Sequence, residues 1–173
     1  KWVFYDSFSG SLCFKVLRYN NLKFSNQQSA ISKTQSGILL INLGTPDTPH
    51  TREVRIFLRE LLSCKRVLDI NPVWRWLLVN FVILPFRSRK SAKAYRKIWL
   101  EDGSPLLVYS QKLKNALGEQ LSEEKIPVEL GMQCGRPSLK TAIAKLRGQN
   151  CDQIIVLPLY PQYASSSYGA AIE

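Results

Sequence analysis

Gln153-Ile154-Ile155-Val156-Leu157-Pro158-Leu159-Tyr160-Pro161-Gln162-Tyr163-Ala164-Ser165-Ser166-Ser167-Tyr168-Gly169 is the stretch on which the fold turns. Ile154 to Leu157 is a short continuous apolar run. Pro158 and Pro161 cannot donate backbone hydrogen bonds, so a buried strand is expected to stop there. The loop that follows carries the flat faces and polar tips of Tyr160, Tyr163 and Tyr168. Ser165, Ser166 and Ser167 are small donors suited to capping a helix that begins nearby. The carboxyl end of a strand in an open parallel sheet is where ligands sit. The sequence stops at Glu173, in the first turns of that expected helix, so a site is expected to be opened here and not completed.

Two further strands precede it. Gly37-Ile38-Leu39-Leu40-Ile41-Asn42-Leu43 is apolar at nearly every position, as a central strand covered on both faces would be, and Gly44-Thr45-Pro46 closes it. Val128 to Met132 is the other, running into a Gln133-Cys134-Gly135-Arg136-Pro137 loop. Helical spacing fills the intervals. Thr48 reads as an N-cap with Pro49 at the first helical position, followed by inward Val54, Phe57, Leu58, Leu61 and Leu62. Ser104 is expected to cap a helix with Leu106, Leu107, Leu113, Leu117 and Leu121 on its buried face, and Ser138 one with Leu139, Ile143 and Leu146 inward. Strands alternating with helices predict an α/β fold: a Rossmann-like, parallel, doubly wound sheet with helices on both faces.

Between these units, Asn71-Pro72 opens a helical stretch whose Val73, Trp74, Trp76, Leu77, Leu78, Phe81, Val82, Ile83 and Leu84 leave almost no polar face, with Pro85 marking its end. Such a segment must be buried or must touch something apolar outside the fold. Arg87, Arg89, Lys90, Lys93, Arg96 and Lys97 follow with no acid before Glu101. Apolar and aromatic residues followed by basic ones suit an anionic lipid surface, and equally an apolar core helix beside an exposed basic one.

The chain has 173 residues, 45% of them hydrophobic, enough for one domain with a real core. Its formal net charge of +11 attracts anionic partners without choosing among nucleic acid, lipid and acidic small molecules. Nucleic acid is not an expected partner, because no recognised motif is present and the aromatics are not interleaved with the basic run as stacking platforms would be. Cys13, Cys64, Cys134 and Cys151 show no C-x-x-C pair and no histidine cluster, which points to free thiols in a reducing compartment. No window reaches the length of a spanning helix, so membrane contact is expected to be peripheral. Residues 1–36 hold a single acid, Asp6, and are rich in Ser, Asn and Gln; an irregular or poorly ordered extension is expected, and the low Arg content fits a transit peptide badly.

Gly37 to Pro46, Gly103-Ser104-Pro105-Leu106, and Leu157-Pro158-Leu159-Tyr160-Pro161-Gln162-Tyr163 occur in this order and spacing in ferrochelatases. Over about residues 37–173 the chain resembles the amino-terminal half of a bacterial member of that family. The resemblance implies an enzyme of haem synthesis inserting Fe2+ into protoporphyrin IX, with the ring clamped between two Rossmann-like lobes. On that footing residues 37–173 form one chelatase-like lobe, incomplete at the C-terminus. Porphyrin contacts are implied at Leu43 on the cleft floor, at Leu58 and Leu61 on the apolar lip, at Tyr95 and Ser104 along the ring edge, and at Gln133 and Cys134, where several members carry Arg-Tyr. The Trp74 to Leu84 segment also matches the lip, which in this family meets the membrane. Tyr160 and Tyr163 read equally as packing residues and as ring contacts.

Inserting a divalent metal into a free-base porphyrin requires bending a pyrrole and removing two inner protons, which calls for a rigid apolar clamp and a base of near-neutral pKa. In the family that base is a histidine in a His-Gly-Leu-Pro-like motif of the second half, helped by a later glutamate. The only histidine here, His50, reads as an exposed first-turn residue. No catalytic or metal-ligating residue is therefore expected in this chain, which is predicted inactive alone. Neither a tightly bound cofactor nor an iron–sulfur cluster is expected, since Ala164-Ser165 stands where cluster-bearing members have a ligand cysteine; Fe2+ and protoporphyrin IX enter as substrates. The expected location is cytoplasmic, peripheral on the inner membrane. The rival expectation is a non-catalytic porphyrin- or membrane-docking module.

Overall fold

The computed structural model describes residues 2–9, 12–19 and 35–160. The expected strands are present as β3 (Ser36–Thr45), β4 (Val128–Gly135) and β5 (Gln153–Pro158), preceded by β1 (Trp2–Ser9) and β2 (Leu12–Tyr19). The sheet runs β1-β2-β5-β3-β4. Its core is parallel: β3 pairs with β4 on one side and β5 on the other, so that Leu40 lies opposite Leu130 and Leu157.

Successive residues of β3 face opposite layers, which is why the run could be apolar at nearly every position. Leu39 and Ile41 pack with Ile154 and Val156 beneath Ala142 and Leu146 of α5 (Leu139–Gly148). Leu40 packs with Val128, Leu130 and Met132 beneath Leu107, Leu117 and Leu121 of α4 (Pro105–Gln120). A third cluster joins Val54, Phe57 and Leu58 of α1 (Thr51–Ser63) to Val79, Leu84, Ala92 and Cys134. Helices thus cover both faces, as the alternation of strands and helices predicts.

Three expectations are corrected. Thr48 does not cap α1: the helix starts at Thr51, with His50 at the cap position and no side-chain capping hydrogen bond. The Thr48 hydroxyl instead accepts from the His50 N–H at 3.5 Å, a local turn that competes with helix entry. Second, Pro85 does not end the apolar helix. The chain runs from α2 (Pro72–Leu77) through a π-helical segment (Leu78–Ile83) into α3 (Leu84–Ile98). Proline removes a donor and crowds the carbonyl four residues back, and widening the preceding turn lets the helical path continue. Asn80 pins this turn, donating to the Trp76 carbonyl at 2.9 Å and accepting from Arg59 Nε of α1 at 3.1 Å.

Third, residues 1–36 are not irregular throughout. β1 and β2 pair antiparallel from Trp2↔Tyr19 to Ser9↔Leu12, and β2 pairs antiparallel with β5. The strand-favouring residues Trp2, Val3, Phe4, Tyr5 and Phe8, and the Gly10-Ser11 dipeptide that follows, are hairpin signals that composition alone does not reveal. The expected helix cap at Ser165–Ser167, and Tyr163 and Tyr168, lie outside the described residues.

Candidate functional site

At the carboxyl end of β3 the sheet opens into a cavity of about 570 Å3, within the range of about 300–1,000 Å3 for small-ligand sites. Asn42, Gly44 and Thr45 line it from β3, Tyr95 and Ile98 from α3, Ser104, Leu106, Tyr109, Ser110 and Leu113 from the start of α4, and Leu159 from beyond β5. It lies where ligands bind in open α/β sheets, off the strand ends.

Its polar groups are few and held. Asn42, 8% exposed, donates through Nδ2 to the Ser110 hydroxyl at 3.1 Å, while its Oδ1 accepts from the Leu43 N–H at 2.8 Å. Ser104, 2% exposed, caps α4 by accepting from the Leu107 N–H, with Pro105 at the first helical position, so the cap and the cavity wall are one residue. Thr45 Oγ1 is buried with no hydrogen-bond partner among the described residues. Tyr95 has two roles. It lines the cavity and packs on the α1–α3 cluster, edge-on to Phe57 at 6.4 Å and to Trp99 at 6.2 Å between ring centroids. Burial raises its phenol pKa above the ordinary value.

Of the residues expected to touch the ring, Tyr95 and Ser104 meet at this cavity. Leu58 and Cys134 are buried in the cluster on which Tyr95 and Leu61 pack, and so form the wall behind it. Leu43 is half-buried near the end of β3. Gln133 Oε1 accepts from the Tyr160 hydroxyl at 3.0 Å, which makes Tyr160 a tie between β4 and the chain leaving β5. His50 is exposed, as expected, and is not a lining residue.

Sequence reasoning missed Asn42, Ser110 and the cavity role of Leu106 and Leu113. Asn42 had a signal: a polar residue inside an otherwise apolar central strand is informative because it must be paired there. The two leucines, expected in the core, are 38% and 41% exposed. They share a helical face with Tyr109 and Ser110, and that face looks onto the cavity.

Cys134 sets a measurable property of the wall. Burial first, then the neighbouring Glu60 carboxylate and the Cys64 thiol, push its thiol up to about 12; burial, then Cys134, push the Tyr160 phenol to about 12. The Glu60 carboxylate also accepts from the Gly135 N–H at 3.0 Å. Unfolded, these groups release protons at their ordinary 9.0 and 10.0. Stability present below about pH 9 is therefore lost progressively as pH rises toward 12, because the unfolded chain binds fewer protons over that window. Urea midpoints should be lower at pH 10.5 than at pH 8, with a smaller fall for Cys134→Ala. At pH 8 iodoacetamide should modify half-buried Cys64 roughly tenfold or more faster than Cys134, because the thiolate is the nucleophile.

The comparisons agree with this geometry. The family model described as ferrochelatase matches residues 35–173, which take in every element from β3 onward. The ferrochelatase of Coxiella burnetii (strain Dugway 5J108-111) is 51% identical over 137 residues, covering 79% of this chain and 38% of the relative. That of Marinomonas sp. (strain MWYL1) is 50% identical over 141 residues, 79% of this chain and 42% of the relative. That of Legionella pneumophila (strain Paris) is 50% identical over 137 residues, 79% and 40%. The chain spans about two-fifths of the length of the curated relatives it matches. With the family model and the relatives covering the same elements that build the cavity, the chain belongs to the ferrochelatase family.

Proposed function

We propose that this chain supplies one wall of a porphyrin cleft in an enzyme that inserts ferrous iron into protoporphyrin IX. The observation that carries the proposal is the convergence of Tyr95, from α3, and Ser104, the cap of α4, with Asn42 and Gly44 of β3 on a largely apolar cavity at the strand ends. Rigid apolar walls suit a planar ring that must be held and bent. Metallation exchanges two pyrrole protons for one divalent ion, so the reaction needs a group that accepts protons near neutral pH.

Among the described residues the cavity offers no such group. Its titratable side chains are the phenols of Tyr95 and Tyr109; that of Tyr95, its pKa raised by burial, stays protonated at neutral pH. The sole histidine stands elsewhere, exposed at the start of α1. We therefore assign binding and positioning to these residues, with Leu43, Leu58, Leu61, Gln133 and Cys134 forming or backing the same wall. Proton acceptance belongs to the histidine that the family carries in its other half. We assign no tightly bound cofactor.

A fluorescence assay with protoporphyrin and zinc ion tests this. The 173-residue chain should bind the ring without producing metalloporphyrin, and Tyr95→Ala should weaken binding at least about fivefold, as loss of a well-packed aromatic contact does. Turnover by this chain alone would overturn the division of labour, and absence of binding would overturn the cleft.

The exposure of Trp74 (69%), Phe81 (64%) and Phe86 (79%) supports a second element, peripheral attachment of the lip to an anionic membrane from the cytoplasmic side. No helix among the described residues is long and apolar enough to cross a membrane.

A further inference from the structure

Among the described residues, α2 contributes no buried side chain, although Val73, Trp74 and Trp76 all stand on it. The first buried residue of this segment is Val79, in the π-helical turn, and the next is Leu84 at the start of α3. Burial anchors the turn and α3 but not α2. Hydrogen bonds hold α2 instead. Arg75 Nη1 donates to the Leu68 carbonyl at 3.2 Å, tying α2 to the preceding loop. Asn80 Nδ2 donates to the Trp76 carbonyl at 2.9 Å, while Asn80 Oδ1 accepts from Arg59 Nε at 3.1 Å. The edge-on pair of Trp76 and Phe81, 5.6 Å between ring centroids, spans the same junction.

Asparagine suits this place because its amide donates and accepts at once. An α turn bonds each N–H to the carbonyl four residues back and a π turn to the fifth, so the ladder changes step where α2 meets the turn. The Asn80 side chain bridges that step to the last turn of α2, and Arg59 fixes the same side chain to α1.

We propose that Asn80 is a positioning residue for the lip: it locks α2 to α1, so that Trp74 and Trp76 are presented to the membrane in one orientation. The proposal rests on the peripheral attachment proposed above. A tethered helix meets the surface with its ordering already done. A loose one must order as it binds, which weakens binding without changing any side chain that inserts.

The test compares the full wild-type chain with Asn80→Ala and Asn80→Asp. Without lipid, hydrogen exchange over residues 73–83 should be roughly tenfold faster in Asn80→Ala, as loss of two hydrogen bonds allows, while residues 38–42 of β3 exchange as in wild type. An aspartate keeps the acceptor for Arg59 but offers no amide donor, so Asn80→Asp should speed exchange over residues 73–77 and spare 78–83. On vesicles of phosphatidylcholine and phosphatidylserine at low salt, Asn80→Ala should partition about three- to tenfold more weakly than wild type, although every aromatic and basic residue of the lip is kept.

Unchanged exchange over residues 73–83 in Asn80→Ala overturns the lock. Loss of protection in β3 also overturns it, since Asn80 would then support the whole fold rather than the lip. Faster exchange with wild-type partitioning overturns its use at the membrane. A wild-type chain that does not bind these vesicles overturns the attachment itself, and exchange alone then decides whether Asn80 holds α2.

Discussion

Gly44→Ala should prevent the chain from folding stably, with an expected cost above about 4 kcal/mol, a large share of the ~5–15 kcal/mol typical of a domain. Two effects add. Gly44 has φ +105°, a conformation that side-chain-bearing residues adopt at about 1–3 kcal/mol. A Cβ there would also stand 1.7 Å from the Cys134 carbonyl oxygen, a backbone atom with no rotamer to escape into. The residue sits opposite Cys134 in the parallel β3–β4 ladder, so relief requires prising the two strand ends apart beside the cavity that Gly44 and Thr45 line. Gly103→Ala separates the terms. Gly103 also has positive φ, +127°, but a Cβ there meets nothing within 4 Å, so it should cost only the conformational strain. Urea unfolding of the two variants beside wild type makes the comparison. Equal, small losses would show that the strand ends can part without consequence, and the tight β3–β4 approach would lose its assigned role.

The same strand ends show which features the sequence makes legible. The run Ile38 to Leu43 announces a strand buried on both faces, because a doubly covered parallel strand tolerates apolar residues at nearly every position. Leu39 and Leu40 fall on opposite layers accordingly. Turn motifs carry the site almost as well, since Ser104 is both helix cap and cavity lining. What is lost is whatever depends on the third dimension. The spacing of Leu106 and Leu113 marks a helical face but cannot say whether that face meets a sheet or an opening. Pro85 reads as a stop because its cost is local, while the π-helical turn that accommodates it is held from outside by Arg59 of α1. The hairpin at residues 2–19 was hidden for a different reason: composition averages over a window in which two strands and their connections cancel.

Removing the aromatic lip should reduce membrane affinity more than removing the basic helix does, if the peripheral attachment proposed above holds. Val73, Trp74, Trp76, Phe81 and Phe86 are 58–79% exposed, although their segment contains almost no polar face. The π-helical turn carries Phe81, and Asn80 fastens that turn to α1, so the apolar patch is displayed on a fixed frame. Each large apolar side chain moved out of water contributes about 1.5–3 kcal/mol. The exposed Arg87, Arg89, Lys90 and Lys93 on α3 contribute about 1 kcal/mol each near an anionic surface, and little in high salt. Changing Trp74, Trp76, Phe81 and Phe86 to serine should therefore lower partitioning onto vesicles at least about 100-fold, with or without anionic lipid. Changing the four basic residues to glutamine should lower it roughly 10- to 100-fold on phosphatidylserine vesicles at low salt, and hardly at all in 0.5 M salt, about the ionic strength at which surface charges stop acting at a distance. Co-sedimentation at two salt concentrations reads both. Absence of wild-type binding to anionic vesicles at low salt would remove the membrane from the proposal. A larger loss for the basic variant at low salt would instead make charge, not the exposed aromatics, the principal anchor.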